Sequence, residues 1–282
     1  MDNRTHDPLA LVSILIPVKN GAAFISDAIA SCLNQTTTTT FEILVVNDSS
    51  SDETMEILQK LSIMDSRVKV LQSNGRGVGN ALQTGLLYSG AEYILRLDAD
   101  DRMLPSRIEK QIQALASNNQ IVLCGTQIKL FGDDQINFPP NSYPLSHAGI
   151  CEFMQIGNAF ADPSVAFRRS SAVQVGGFHG NLDGAEQYHL WLRLSKVGEL
   201  VNLNEVLTEY RIHQNQFTKS KIIKVVTQTT KVQILWFLGI TQLRVRFRVG
   251  LFQTLNKGTR QLRIPFYLGR YLAYSLVAWI RS

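Results

Sequence analysis

The sequence predicts an α/β domain, a mostly parallel sheet flanked by helices, followed by a basic helical tail. Two observations predict the domain. From residue 11 to about 125, short apolar runs alternate with longer amphipathic ones, and strand, helix, strand repeated four times is the pattern of a parallel sheet with helices on its faces. A third observation predicts the tail: the last 62 residues, from Lys221 onward, hold eleven Lys and Arg and no Asp or Glu. That leaves 17 of the 28 basic residues against all 23 acidic ones in the first 220, a net of −6 inside a chain whose total is +5. Opposite electrostatics predict two units with two jobs, a domain over 1–220 and a tail over 221–282.

The elements follow in order. LVSILIP (11–17) is a first strand: acids and a proline precede it, and Pro17 and Lys19 break it too soon for a secretory signal. AAFISDAIASCL (22–33) has helical spacing, and the five threonines Thr36 to Thr40 read as the loop leading to the strand FEILVVN (41–47). DETMEILQKLS (52–62) is a helix that Asp52 or Ser51 can cap, and RVKVLQ (67–72) is the third strand. GVGNALQTGLLYSG (77–90), EYILRLD (92–98), PSRIEKQIQALAS (105–117) and QIVLCG (120–125) continue the alternation, with Pro105 suited to a first helical turn. Beyond residue 126 the pattern is less regular, with Pro139, Pro140 and Pro144 in a loop-rich stretch, then a helix around EQYHLWLRLSKVG whose Trp191 and Leu194 face the core. Cys32, Cys124 and Cys151 are odd in number and far apart, which excludes a disulfide framework or zinc cluster and predicts a reducing, cytosolic setting.

The stretch YILRLDADD runs from an apolar strand into three acids. In extended chain, residues two apart project to the same side, so Asp98 and Asp100 can converge on one point. Converging carboxylates repel unless a cation or a proton lies between them, and hard oxygen ligands select Mg²⁺ or Mn²⁺. The structural alternative is that these acids cap the following helix, Asp101 above all. Two other strand ends carry polar groups, Pro17-Val-Lys-Asn20 and Asp48, and ligands of open parallel sheets bind at the carboxyl ends of strands. A dinucleotide fingerprint is excluded: Gly75, Gly77 and Gly79 are spaced GxGxG, Asn80 stands where a third glycine would be expected, and the segment follows the third strand. Arg96 reads either as a phosphate contact or as an ion-pair partner.

Taken in order, VSILIPVKN, FEILVVNDSSSDET, NGRGVGNALQTGL, EYILRLDADDRMLPSRIEKQ, DPSVAFRRS with VGGF, AEQYHLWLRL and YRIH resemble the family 2 glycosyltransferases, inverting enzymes of the GT-A fold, over about residues 10 to 220. The resemblance implies that Pro17 and Asn20 line a base and ribose pocket, that Asp48 contacts the nucleobase with Arg76 nearby, and that Asp98 and Asp100 bind ribose, metal and diphosphate. It implies His213 as a metal or phosphate ligand with Arg211 at the diphosphate, although a lone histidine is more often a structural hydrogen-bonding residue. The family's base is the second residue of a Glu-Asp pair opening a helix; here the pair reads Glu186-Gln187, and Gln187 accepts no proton at neutral pH. Glu186 or Asp183 would then act, unless an anionic acceptor such as a lipid phosphate needs no base, or Glu186 only caps its helix.

The expectation is therefore inverting, metal-dependent transfer of a sugar from a nucleotide donor, UDP-linked, to a glycan or lipid-linked acceptor in cell-surface polysaccharide or glycolipid synthesis. One rival is a nucleotide-binding protein of the same fold without transferase activity, marked by Gln187. A nucleotidyltransferase would also use paired acids, but no Lys- or Arg-rich phosphate loop follows the first strand. In the tail, IPFYLGRYLAYSLVAWI (264–280) is at the lower limit for a bilayer span and contains Arg270. Tyr267, Arg270 and Tyr274 fall on one helical stripe, which predicts a helix lying on an anionic membrane surface, at the inner face and peripheral. The alternative is a helical cap on the domain or a dimer contact. No nucleic-acid recognition motif accompanies the charge.

Overall fold

In a computed structural model the described residues are 10–132, 143–182, 184–213 and 222–237. Asp183 and the stretch 264–280 lie outside them. The chain divides into two compact units between Gln228 and Thr229; the first holds the sheet.

Eight strands, β1 (Val12–Val18), β2 (Phe41–Asn47), β3 (Val68–Gln72), β4 (Tyr93–Arg96), β5 (Arg102–Met103), β6 (Ile121–Gly132), β7 (Ala166–Arg168) and β8 (Glu199–Ile212), form one sheet in the order β3-β2-β1-β4-β7-β6-β8-β5. β1 is parallel to β2 and to β4, and β2 is parallel to β3, with Val18 opposite Asn47 at the carboxyl end. Every residue of β1 is buried, as a central parallel strand covered on both faces requires, and VSILIPV accordingly shows no polar alternation.

α1 (Ile25–Leu33) turns Ile25, Ala28, Ile29 and Cys32 inward, and α4 (Arg107–Ser117) turns Ile108, Ile112 and Leu115 inward, so both are held by one apolar stripe rather than by propensity. α3 (Val78–Tyr88) lies close against β1: a Cβ added to Gly85 would stand 2.1 Å from Leu15 Cδ1. The N-cap of α2 (Thr54–Met64) is Glu53 and not the expected Asp52 or Ser51; Asp52 instead ties the turn before the helix, its Oδ1 accepting from Thr54 N at 3.1 Å and its Oδ2 from Ala22 N at 3.1 Å.

Two further expectations shift. Pro105 precedes the first turn of α4 instead of entering it, and its carbonyl accepts from Thr36 N at 2.8 Å, tying the threonine loop to the rim. The strand at 121 does not continue the parallel array beside β4. The short strand β7 lies between them, antiparallel to both, while β8 runs parallel to β6 and antiparallel to β5. Six strands thus run one way and two the other. α5 (His147–Phe153), a short 3-10 helix (Asp162–Ser164), α6 (Arg169–Gln174) and α7 (Glu186–Leu194) complete this unit, and α8 (Ile222–Phe237) spans the boundary between units. Trp191 and Leu194 are fully buried.

Candidate active site

The parallel block brings the carboxyl ends of β1, β2 and β4 to one rim. At the end of β1, Asn20 has a positive φ of 53°, which asparagine tolerates better than most side chains. Its Oδ1 accepts from Ser51 N at 2.8 Å, joining the first and second strand ends. Pro17 is buried within β1 opposite Val46. Asp48 is 5% exposed. Its Oδ2 accepts from Gly77 N at 2.9 Å and lies 3.6 Å from Lys19 Nζ, while its buried Oδ1 has no hydrogen-bond partner among the described residues. A buried acceptor without a donor costs free energy. Arg76 is exposed one position before Gly77, whose φ of 94° turns the chain into α3.

Beyond β4 the three acids converge: one oxygen each of Asp98, Asp100 and Asp101 lie within 4.8 Å of one another. The buried Arg96 pairs with Asp98 at 2.6 Å, so of its two expected roles it takes that of ion-pair partner. Asp101 does not cap α4. It is 1% exposed, its Oδ1 accepts from Arg211 N at 2.8 Å, and its Oδ2 has no partner among the described residues. Burial, with Asp98 and Asp100 beside it, holds Asp101 well above the usual carboxylate range, and burial followed by the Asp100 charge raises Asp98 against the pull of Arg96. Carboxylates so crowded, one with an orphaned buried oxygen, fit a divalent cation as the missing partner. His213 Nε2 lies 2.8 Å from Asp100 Oδ2, so the histidine expected as a ligand does reach the acid cluster.

Arg211 also reaches the cluster, and by more contacts than its expected role implies. Its Nε donates to the Asp100 carbonyl at 2.7 Å and its Nη2 to Asp27 Oδ2 at 2.8 Å, and its guanidinium lies over the rings of Phe24 and Phe131.

Glu186 opens α7 at 2% exposure, and its Oε2 accepts from Gly184 N at 2.7 Å. Burial pushes its carboxyl up to about 7, with Asp162 adding to the shift. Gln187 is buried with Oε1 unpartnered among the described residues. Asp162 was not singled out by sequence, although DPS lies in the ordered motif series. Its Oδ1 accepts from Asn158 Nδ2 at 2.7 Å and Trp191 Nε1 at 3.0 Å, and burial raises it too. Asp27 in α1 and Phe24 just before it were likewise missed, because they read as ordinary positions of an amphipathic helix. The rim thus holds a cluster of three acids and, 50 residues upstream in sequence, a buried acceptor without a partner among the described residues.

Comparison with known proteins gives the family and the fold. Residues 13–176 match the family Glycosyl transferase family 2. An uncharacterized glycosyltransferase of Haemophilus influenzae is 32% identical over 73% of this chain and 67% of its own length. The O-antigen biosynthesis glycosyltransferase WbnJ of Escherichia coli is 29% identical over 76% of this chain and 84% of its own. Among solved structures, S. aureus TarS 1-349 in complex with UDP-GlcNAc aligns with a TM-score of 0.64 at 17% identity, over 79% of this chain and 66% of that one. The mannosyltransferase PcManGT of Pyrobaculum calidifontis, with GDP-Man and Mn²⁺, aligns at 0.63 and 16% identity over 96% of this chain and 75% of that one. At such identity the likeness is one of fold, the expected GT-A fold.

Proposed function

Because the chain belongs to glycosyl transferase family 2 and is a glycosyltransferase, we propose that it transfers a sugar, with inversion, from a UDP-linked donor to a glycan or lipid-linked acceptor in cell-surface polysaccharide or glycolipid synthesis. The observation that carries the donor site is the convergence of Asp98, Asp100 and Asp101 within 4.8 Å, with His213 on Asp100. The UDP-GlcNAc in TarS supports a uridine donor, the Mn²⁺ in PcManGT a divalent metal, and the O-antigen role of WbnJ a polysaccharide product.

In this reading Pro17 and Asn20 shape the base and ribose pocket. The free Oδ1 of Asp48 accepts a hydrogen bond from the nucleobase, and Arg76 flanks it. Asp98 serves the nucleotide, Asp100 and His213 hold Mn²⁺ or Mg²⁺, and Arg211 supplies positive charge beside the diphosphate. When bound there, the cation would neutralise charge developing on the departing diphosphate. The acceptor hydroxyl oxygen forms the new bond to the anomeric carbon as the bond to the diphosphate breaks, and Glu186 takes the hydroxyl proton in the same step. A carboxyl held near 7 is substantially ionised at neutral pH and still basic enough to accept that proton. Asp183, the alternative base, lies outside the described residues. The second reading, nucleotide binding without transfer, rests on the buried amide of Gln187 at the usual base position, and turnover separates the two.

The experiment is thermal stability with UDP, GDP, TDP and CMP, with and without Mn²⁺, for the protein and for Asp100→Ala, since a ligand that binds only the folded state raises its stability. A metal-dependent rise with UDP that Asp100→Ala abolishes is expected. No rise with any nucleotide would overturn the donor site.

No described helix is long and apolar enough to cross a membrane. We further propose that the eleven cations of residues 221–282 bring this cytoplasmic enzyme to an anionic inner membrane face, where lipid-linked acceptors lie.

A further inference from the structure

We propose that Asp27 is a positioning residue for the cation-binding loop, acting through Arg211. Asp27 sits in the first turn of α1, and neither touches the three acids nor belongs to any of the strand ends that form the rim. Its Oδ2 accepts from Arg211 Nη2 at 2.8 Å, from Arg102 Nη2 at 2.5 Å and from Arg102 Nε at 3.1 Å. The Arg102 hydrogen bond, with that of Arg211, holds the Asp27 carboxyl below the usual range, so it is ionised whenever the enzyme works.

The guanidinium it anchors has little freedom. The ring centroids of Phe24 and Phe131 lie 4.9 Å and 4.3 Å from Arg211 Cζ, so hydrogen bonds leave the group chiefly in its own plane. One goes to Asp27 and another to the backbone carbonyl of Asp100 at 2.7 Å. The main chain of the same residue adds a third tie, Arg211 N to Asp101 Oδ1 at 2.8 Å. Phe24 also stacks on His213, ring centroids 4.8 Å apart, and His213 holds the Asp100 carboxylate. Two tethers, one from the first turn of α1 and one from Phe24 just before it, therefore converge on Asp100, one on its carbonyl and one on its side chain.

The physical reason for such bracing is the crowding of three acids within 4.8 Å of one another, a geometry that favours leaving unless something holds the loop. A loop held in its binding geometry pays less ordering cost on binding. Arg211 meets both the loop and Asp27, so removing the Asp27 charge leaves the guanidinium free to leave the loop carbonyl and pair elsewhere. No group that would touch the cation or nucleotide is altered.

This inference rests on the donor-site reading above. The test measures the affinity of the intact protein for UDP and GDP, by calorimetry, in saturating Mn²⁺ and again with chelator, for the wild type, Asp27→Asn, Asp27→Ala and Asp27→Glu. Asp65→Asn serves as control, because Asp65 pairs with Arg67 at 2.8 Å away from the rim. The expected result is about a tenfold loss of Mn²⁺-dependent affinity in Asp27→Asn and a larger one in Asp27→Ala, with chelator-state affinity and melting temperature little changed. Asp27→Glu should recover much of the loss, and Asp65→Asn should match the wild type. Wild-type affinity in both Asp27→Asn and Asp27→Ala would overturn the inference alone. Equal losses with and without Mn²⁺, or losses that follow melting temperature and are not rescued by Asp27→Glu, would also overturn it, as a general structural role. A wild type that gains no affinity from Mn²⁺ would overturn the donor-site reading and this inference with it.

Discussion

Glu186 and Gln187 stand side by side at the start of α7, yet only one of them can exchange a proton. Replacing Glu186 with Gln should lower kcat by roughly 10²- to 10⁴-fold while leaving Mn²⁺-dependent nucleotide affinity intact, and measuring both separates a lost base from a lost fold. The pH dependence follows from the raised carboxyl. Glu186 is protonated below its folded value of about 7, and a protonated base cannot act, so kcat/KM should fall as pH drops through about 7 and level off above it. An enzyme whose rate holds steady from pH 8 to pH 5.5 does not use this carboxyl. The acids at strand ends were legible because strand ends are fixed by the apolar runs before them. Asp162, which helps raise Glu186, was not, since the chemistry of an acid inside an irregular stretch is decided by what folds over it. Gln187 was legible only as a departure, and its burial without a partner for Oε1 is a structural fact that no spacing announces.

Among the elements, α3 lies close against the sheet at Gly85. Gly85→Ala would drive a methyl group to 2.1 Å from Leu15 Cδ1 and 3.2 Å from Val46 Cγ2. Overpacking of this kind costs about 1–3 kcal/mol, and chemical denaturation of the variant should show a loss in that range. A neutral result would mean that Leu15 repacks freely. The same helix opens at Gly77, whose amide holds Asp48, so a shift of α3 should weaken nucleotide binding in parallel with stability. The first four strands and four helices were legible to within about three residues, because local periodicity alone specifies them. The insertion of β7 between β4 and β6 was not. Three residues give no periodicity, and pairing Tyr93 with Arg168 joins segments 75 residues apart, which no local pattern encodes.

At the scale of the whole molecule, a domain that is net acidic and a tail that is strictly basic should respond differently to salt. The full chain is expected to sediment with vesicles of anionic lipid at low ionic strength, to be released by several hundred millimolar salt, and to ignore neutral vesicles. Arg244→Gln, Arg246→Gln and Arg248→Gln together should weaken sedimentation several-fold, at about 1 kcal/mol for each cation near the surface. Equal binding to neutral vesicles would point to the apolar faces instead. Charge asymmetry was readable from composition, whereas what covers the tail depends on residues beyond those described. The ties from Arg211 and His213 to Asp100 bridge 111 and 113 positions of chain, and that span sets an order of events during synthesis. A nascent chain that has emerged only through α4 already carries all three acids of the rim, but the strand that braces them has not yet been made. On the donor-site reading, the brace for these acids arrives late in translation, when β8 is made, and a ribosome-bound fragment ending before it would present the three acids without it. The last of the described strands to be synthesised is the one that braces the acids.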